Sequence, residues 1–289
     1  NYQGNDISRG GVNENLRLTD EQVITLLKQW AEEFSASPLC GEVYCQLAER
    51  YDRMQDYTAK LHVAQTGLKK YPQSSSANDL KEQAAEVLTP RLMVEIPFAY
   101  PAKEVDLKVK YRNLTGLTVE LYRMNLPVTS NILEGEITAS TVSRYGKLVG
   151  TRHYQLVATP DYMETDTLLR YKFPTEGIYI LKSIPDGHRK YTAYGKAYVS
   201  SLQAISLGLP GGKQEINIID RLTGYPVAGT EVAYYRVSQG EGYRLVKAYP
   251  ADSKGTVTLT PPDERNWLHW WSVASGAWLT GCIHINWGR

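Results

Sequence analysis

The chain has 289 residues, too long for one ordinary domain and suited to two or three. Its 32 lysines and arginines balance 31 aspartates and glutamates, which excludes the basic excess that nucleic acid or an anionic membrane surface would demand. Three cysteines, Cys40, Cys45 and Cys282, make neither a disulfide framework nor a metal-type CxxC pair, and no run of ~18 apolar residues reads as a membrane helix.

Residues 1–16 are polar and rich in Gly and Asn, with too little apolar surface to offset the cost of ordering, so a loose leader is expected. They lack an initiator Met and the basic and apolar regions of a signal peptide. The start therefore reads as a point inside a longer chain, with a signal or lipid anchor already removed.

Residues 17–90 predict four helices. Thr19-Asp20-Glu21-Gln22 is a capping box, followed at helical spacing by Val23, Leu26, Leu27, Trp30 and Phe34. Ser37-Pro38 supplies an N-cap and first-turn proline for a second helix, with Leu39, Val43, Leu47 and Tyr51 as its apolar stripe. The third helix runs from about Asp56 to Tyr71, turns Tyr57, Leu61, Ala64 and Leu68 inward, and stops before Pro72. A short fourth spans about Ser76 to Leu88. The stretch from Leu47 to Pro72 resembles a tetratricopeptide-type helical hairpin in Leu47-Ala48-x-x-Tyr51, Asp56-Tyr57 and Tyr71-Pro72. One such hairpin is expected to act as a helical cap, because a solenoid needs roughly three stacked copies.

From Leu92 the apolar period becomes two. Val105, Leu107, Val109 and Tyr111 share one strand face, Asn113-Leu114-Thr115-Gly116 makes a turn, and Val119 and Leu121 follow on a second strand. Lys103, Lys108, Lys110 and Arg112 read as the solvated side of the same region. Further strands are expected in "HYQLVATP", "TLLRYKFPT", "IYILKSI" and "AYGKAYVSSLQAI", with no amphipathic helix between them, which favours an antiparallel sandwich over residues 91–201. A high tyrosine count, 21 against 3 phenylalanines, suits half-exposed strand faces.

A second sandwich is expected over 202–289. Its first strand closes at Asp220. Thr223-Gly224 then turns with Gly at positive φ, Pro226 presets the next strand's entry, and Gly229 permits another tight bend. Val232, Tyr234 and Arg236 are expected on one face of the following strand, with Glu231, Ala233 and Tyr235 on the other.

The stretch Asp220-x-x-Thr223-Gly224-x-Pro226-Val227-x-Gly229-x-x-Val232 resembles the macroglobulin (MG) domains of the alpha-2-macroglobulin family, especially long bacterial members of the Bacteroidetes type. The turn Ala251-Asp252-Ser253-Lys254-Gly255, the strand pair "VKYRNLTGLTVELYRM", Gly177 with Tyr179, and the turn Tyr71-Pro72-Gln73-Ser74 are similar to family features as well. The resemblance covers about residues 40–260. It implies a non-enzymatic piece of a cell-envelope protein, periplasmic or anchored at the outer membrane and facing outward. The whole protein would trap and inhibit proteases through domains beyond this chain. The family's thioester forms within a C-x-E-Q motif, which does not occur around Cys40, Cys45 or Cys282, so no thioester residue is assigned. An α+β multidomain fold is expected: helical hairpins, then two fibronectin-like antiparallel β-sandwiches, the second incomplete.

No catalytic, metal or cofactor-binding residue is assigned. Gly208-Leu-Pro-Gly-Gly-Lys213 is one residue short of a phosphate loop and lacks the Ser or Thr after its lysine, so it reads as a turn. His62, His153, His188, His269 and His284 are scattered over different elements. Cys282-x-His284 is at most half of a metal site. Cys40 and Cys45 point ~140° apart on one helix, which argues for free buried thiols. Asn113-Leu114-Thr115 is a glycosylation sequon that a bacterial source leaves bare.

Five of the six tryptophans, Trp267, Trp270, Trp271, Trp278 and Trp287, lie in the last 23 positions. One reading is an aromatic platform for a glycan or membrane interface. The preferred one is a truncated or frame-shifted end, because the composition changes abruptly. Other classes weighed are a surface adhesion or glycan-binding sandwich protein and, third, an intracellular helical adaptor.

Overall fold

The computed structural model describes residues 18–125, 136–238, 242–260, 268–275 and 278–285, with side chains described for 18–125, 136–233 and 247–260. The expected leader over 1–16 lies outside the described residues. The described chain divides into two compact units, one of residues up to 89 with 159–164 and one of residues 90–158 and 165 onward.

The first unit holds α1 (Asp20–Glu33), α2 (Cys40–Arg53), α3 (Tyr57–Lys70) and α4 (Ala77–Leu88). The capping box is present: Thr19 Oγ1 accepts from the Gln22 amide at 3.3 Å and Gln22 Oε1 accepts from the Thr19 amide at 2.9 Å. Asp56 caps α3 by accepting from the Ala59 amide at 2.9 Å. The buried stripe of α1 is Ile24, Leu27 and Ala31, while Trp30 and Phe34 are exposed, so the face is rotated from the expected one. Likewise α2 starts two residues past Pro38 and buries Cys40, Tyr44, Leu47 and Ala48 rather than Leu39. Packing between α2 and α3 is close: an added Cβ on Gly67 of α3 would stand 2.5 Å from the Cβ of Tyr44 of α2. Residues 159–164 belong to this unit although they lie between two strands, and Tyr162 packs on its core.

Lys60 ties three of these helices together. Only 3% exposed, its ammonium donates to Asp52 of α2 at 2.6 Å and Glu86 of α4 at 2.8 Å. Burial alone would lower its pKa, but the two carboxylate hydrogen bonds outweigh it and the net shift is upward.

In the second unit every named strand pair is antiparallel. The first seven strands are β1 (Arg91–Glu95), β2 (Glu104–Arg112), β3 (Gly116–Met124), β4 (Gly146–Gln155), β5 (Thr165–Lys172), β6 (Gly177–Pro185) and β7 (Ala193–Val199). They form sheets β1-β2-β5 and β4-β3-β6-β7. Between them lies one core that includes Leu107, Val109, Tyr111, Leu117, Val119, Leu121, Phe173, Tyr179 and Leu181. The expected period of two in β2 is what the sandwich buries. Arg112 departs from its expected solvated place and is buried at the strand end.

A short helix, α5 (Ala139–Tyr145), does interrupt the strands, contrary to expectation. Its reason lies on the outer face of the four-stranded sheet, where Met124, Ile178 and Ile180 form a second apolar cluster with Val142 of α5 and Ile137. Four half-buried tyrosines, Tyr122, Tyr145, Tyr194 and Tyr198, border it.

The second seven strands are β8 (Leu202–Gly208), β9 (Gln214–Asp220), β10 (Glu231–Ser238), β11 (Gly242–Pro250), β12 (Thr256–Leu259), β13 (Leu268–Ser275) and β14 (Trp278–Ile285). Their sheets run β8-β9-β12 and β11-β10-β13-β14. Subtracting seven from each label reproduces 1-2-5 and 4-3-6-7, so both blocks share one connectivity. The expected shortage of strands in this block is therefore not what the backbone shows: the Trp-rich stretch supplies β13 and β14. Aromatic and β-branched residues favour strands whether or not their pattern alternates, which is why a lost period of two concealed them. The expected alternation of β10 is also broken, by a bulge between Tyr234 and Tyr235.

Lys60→Met leaves two half-exposed carboxylates to solvent and is expected to change helical-unit stability by no more than about 1 kcal/mol. Asp52→Asn combined with Glu86→Gln strands a buried ammonium and is expected to cost about 3–5 kcal/mol, read from helix loss by circular dichroism in urea.

Candidate functional site

A densely hydrogen-bonded polar site grows from the turn that follows β9. Asp220 Oδ1 accepts from the amides of Leu222 at 3.0 Å and Thr223 at 2.8 Å and from the Thr223 hydroxyl at 2.9 Å. The Gly224 amide returns to the Asp220 carbonyl at 2.8 Å, and Gly224 takes the positive φ, 72°, that the turn needs. Val227 then donates to the Ile218 carbonyl at 2.9 Å, so the excursion closes back on its own strand.

The second expected turn folds against the first. Asp252 Oδ1 accepts from the amides of Lys254 at 2.8 Å and Thr256 at 2.9 Å. This leaves Gly255, at φ 70°, so close beneath β9 that an added Cβ would lie 2.5 Å from the Ile218 carbonyl and 2.9 Å from the Val227 nitrogen.

A third element completes the site from the other sandwich. Asp220 Oδ2 accepts from the Tyr100 hydroxyl at 3.0 Å. The Arg221 guanidinium carbon stands 4.4 Å from the centre of the Phe98 ring, and the Arg221 amide donates to the Ser201 carbonyl at 2.7 Å. Glu176 Oε1 accepts from the Ser201 amide at 2.9 Å and from its hydroxyl. Ala99 bridges the β7–β8 connection, donating to the Tyr198 carbonyl at 3.4 Å and accepting from the Ser200 amide at 3.0 Å. The backbone and hydroxyl of Thr223, then burial opposing them, then Tyr100 and the Leu222 amide act on the Asp220 carboxyl, and the net effect holds it below the ordinary carboxylate range. Tyr100 moves the other way, its hydroxyl raised by the bond to Asp220.

The remaining candidates stay apart. Cys40 and Cys45 are free and buried in the helical core, as expected. Burial first, and nearby acids next, push the Cys45 thiol up to about 11, which keeps it protonated and unreactive. His62 and His188 are exposed. His153 pairs with Asp186 at 2.8 Å, but the two side chains are about half exposed and the contact ties a strand end in high dielectric. Among the described residues no group of three or more His, Cys, Asp and Glu could hold a metal ion. Gly208 to Lys213 is the β8–β9 hairpin turn, with Gly211 and Gly212 at positive φ and the Leu209 amide on the Lys213 carbonyl at 2.8 Å. No helix of the described residues is long and apolar enough to cross a membrane. Trp270, Trp271, Trp278, His269, Cys282 and His284 lie on β13 or β14, while Trp267 and Trp287 fall outside the described residues.

The motif's own turn was legible from Asp220, Thr223 and Gly224. Its partners Phe98, Tyr100, Glu176 and Ser201 were not, because no spacing rule links residues 120 positions apart, the separation of Tyr100 from Asp220.

Gly255→Ala is expected to cost about 3 kcal/mol or more in thermal unfolding of the sandwich unit, from left-handed strain and backbone overlap together. Gly224→Ala, with nothing within 4 Å of an added Cβ, is expected to cost only about 1–2 kcal/mol. Because folding depresses the Asp220 pKa, its contribution is present above the unfolded value of ~3.9 and fades as pH falls through the folded value. Asp220→Asn is expected to flatten the acid limb of stability against pH, measured by urea midpoints; an unchanged limb would show that Asp220 does not set it.

No protein-family model matches the chain, and no curated protein matches it. Among solved structures the chain is similar to native alpha-2-macroglobulin from Escherichia coli spanning domains MG0-NIE-MG1, with 16% identity and a TM-score of 0.51, over 68% of this chain and 64% of that one. A shorter fragment of the same protein, spanning NIE-MG1, gives 14% identity and a TM-score of 0.49 over 68% of this chain and 98% of that one. Red sea bream transglutaminase gives 12% identity and a TM-score of 0.32 over 74% and 34%. The chain thus matches less than two thirds of the longer bacterial fragment, and the likeness at this identity is one of fold: helices followed by antiparallel sandwiches.

Proposed function

We propose that this chain is a non-enzymatic piece of a bacterial alpha-2-macroglobulin-like envelope protein, serving as an arm of linked sandwiches in a larger protease-trapping molecule. The observation that carries this reading is the Asp220 turn. The family-like stretch from Asp220 to Val232 sits where one seven-stranded sandwich meets another of identical connectivity, in a fold similar to MG0-NIE-MG1 of the Escherichia coli protein. Sequence and geometry support the same role from different directions. The residues that the motif holds in place are turn and junction residues, and their chemistry is hydrogen bonding between strands.

On this reading the inhibitory work, the contact with proteases and any bait segment belong to other domains of the longer protein. Placement in the periplasm or on the cell surface, with a Bacteroidetes-type layout, is part of the same proposal.

The test uses the whole protein that contains this chain. Incubated with endopeptidases of different specificity, it is expected to shield a large protein substrate while cleavage of a small peptide substrate continues, and the 289-residue chain alone is expected to shield neither. Failure of the whole protein to retain any protease, or full shielding by the isolated chain, overturns the proposal.

A further inference from the structure

The junction between the sandwiches holds a polar group whose lost hydration is not fully compensated. Arg221 places its Nε and Nη1 where neither reaches solvent, and neither has a hydrogen-bond partner. Buried donors of this kind are rare and carry the full cost of lost hydration. The compensation is partial. The guanidinium lies over Phe98, yet Phe98 is 67% exposed, so the stack is formed at the surface and not inside a core.

Around this arginine the other contacts divide into two sorts. Some hold the connection itself: Ser200 donates to the Ala99 carbonyl, the Leu202 amide donates to Ser200 Oγ at 3.0 Å, and Ser201 donates twice to Glu176. Those bonds gather on Ser200, Ser201 and Leu202 at the crossover between β7 and β8, and the two cores on either side share no residue. The Tyr100–Asp220 hydrogen bond instead spans from the β1–β2 connection to the far side of the pivot. Breaking it costs the Asp220 carboxylate one of its four donors, and the three within its own turn remain.

From this arrangement we infer that the two sandwiches form a two-state elbow: Ser200-Ser201 is the pivot, Tyr100–Asp220 the latch, and the desolvated Arg221 guanidinium the element that favours opening. Opening rehydrates Arg221 and separates β14 from β6, whose backbones approach each other in the closed arrangement. The latch wins in the closed state by a small margin, so either population is within reach of a ligand or neighbouring domain that prefers it. The inference concerns motion and stands whether or not the longer protein traps proteases.

Spin labels carried on a ketone amino acid at positions 108 and 254, one exposed site per sandwich, leave the native thiols untouched and report the distance between the blocks by pulsed dipolar spectroscopy. The wild-type chain is expected to show a main and a minor distance population. Tyr100→Phe removes only the latch and is expected to raise the minor population about fivefold, the effect of one net hydrogen bond. Arg221→Met keeps a stem over Phe98 while removing the unpaired donors, and is expected to deplete the minor population. A single unchanged distance in all three chains overturns the inference, because it makes the arm rigid. A minor population that grows in Arg221→Met also overturns it, since the arginine would then be a strut. Unchanged near-ultraviolet circular dichroism in each variant shows that both cores are intact.

Discussion

Phe173 has no exposed surface and stands between Tyr171 and Tyr179, with ring centres 5.3 and 5.5 Å away, at the middle of the first sandwich. That stack, with Leu107, Val109, Leu117, Val119 and Leu181 around it, closes two sheets of unequal size over one another. Tilted rings at these distances are the favourable aromatic geometry, and their buried area supplies the larger part of the attraction. Strand register follows from which alternate residues face inward, and a slip of one position would turn the whole set to solvent.

The second block reaches the same connectivity with a smaller described core of Leu202, Ile216, Ile218, Val232, Ala251, Val257 and Leu259. The two blocks thus reach one topology with different core side chains. The two blocks are joined by two residues, and at this crossover Asp220 serves its own turn and another sandwich with one carboxylate. A turn signature read as local strand chemistry thereby acquires a second, long-range role. The similarity to Escherichia coli MG0-NIE-MG1 concerns this architecture.

Burial on both faces of the four-stranded sheet β4-β3-β6-β7 explains a feature that one-sided alternation does not. Ile178 and Ile180 point away from the main core and would be exposed in a bare sandwich, but α5 and the surrounding tyrosines cover them. A tyrosine ring suits such a border because its apolar body packs while its hydroxyl keeps a polar partner, as Tyr122 does by donating to Glu120 at 2.8 Å. The chain's high tyrosine content is accounted for in part by this face.

Several local signals, in which a residue and its partner lie within a few positions, were sufficient. The capping box at Thr19, the start of the third helix near Asp56, the period of two in β2, the Asp220 and Asp252 turns and the separation of Cys40 from Cys45 all depend on bonds or angles fixed over one or two turns of chain, and all were legible in the sequence. Tertiary structure alone decided the rest. It chose Ile24 over Trp30 for the α1 interface, carried Tyr162 into the helical core, placed β13 and β14 in a sheet despite their blurred period, and brought Tyr100 and Phe98 to Asp220 and Arg221. The physical reason is the same in each case. Those outcomes depend on the space left by other elements, and that space exists only after the chain has closed over distances that no local periodicity encodes.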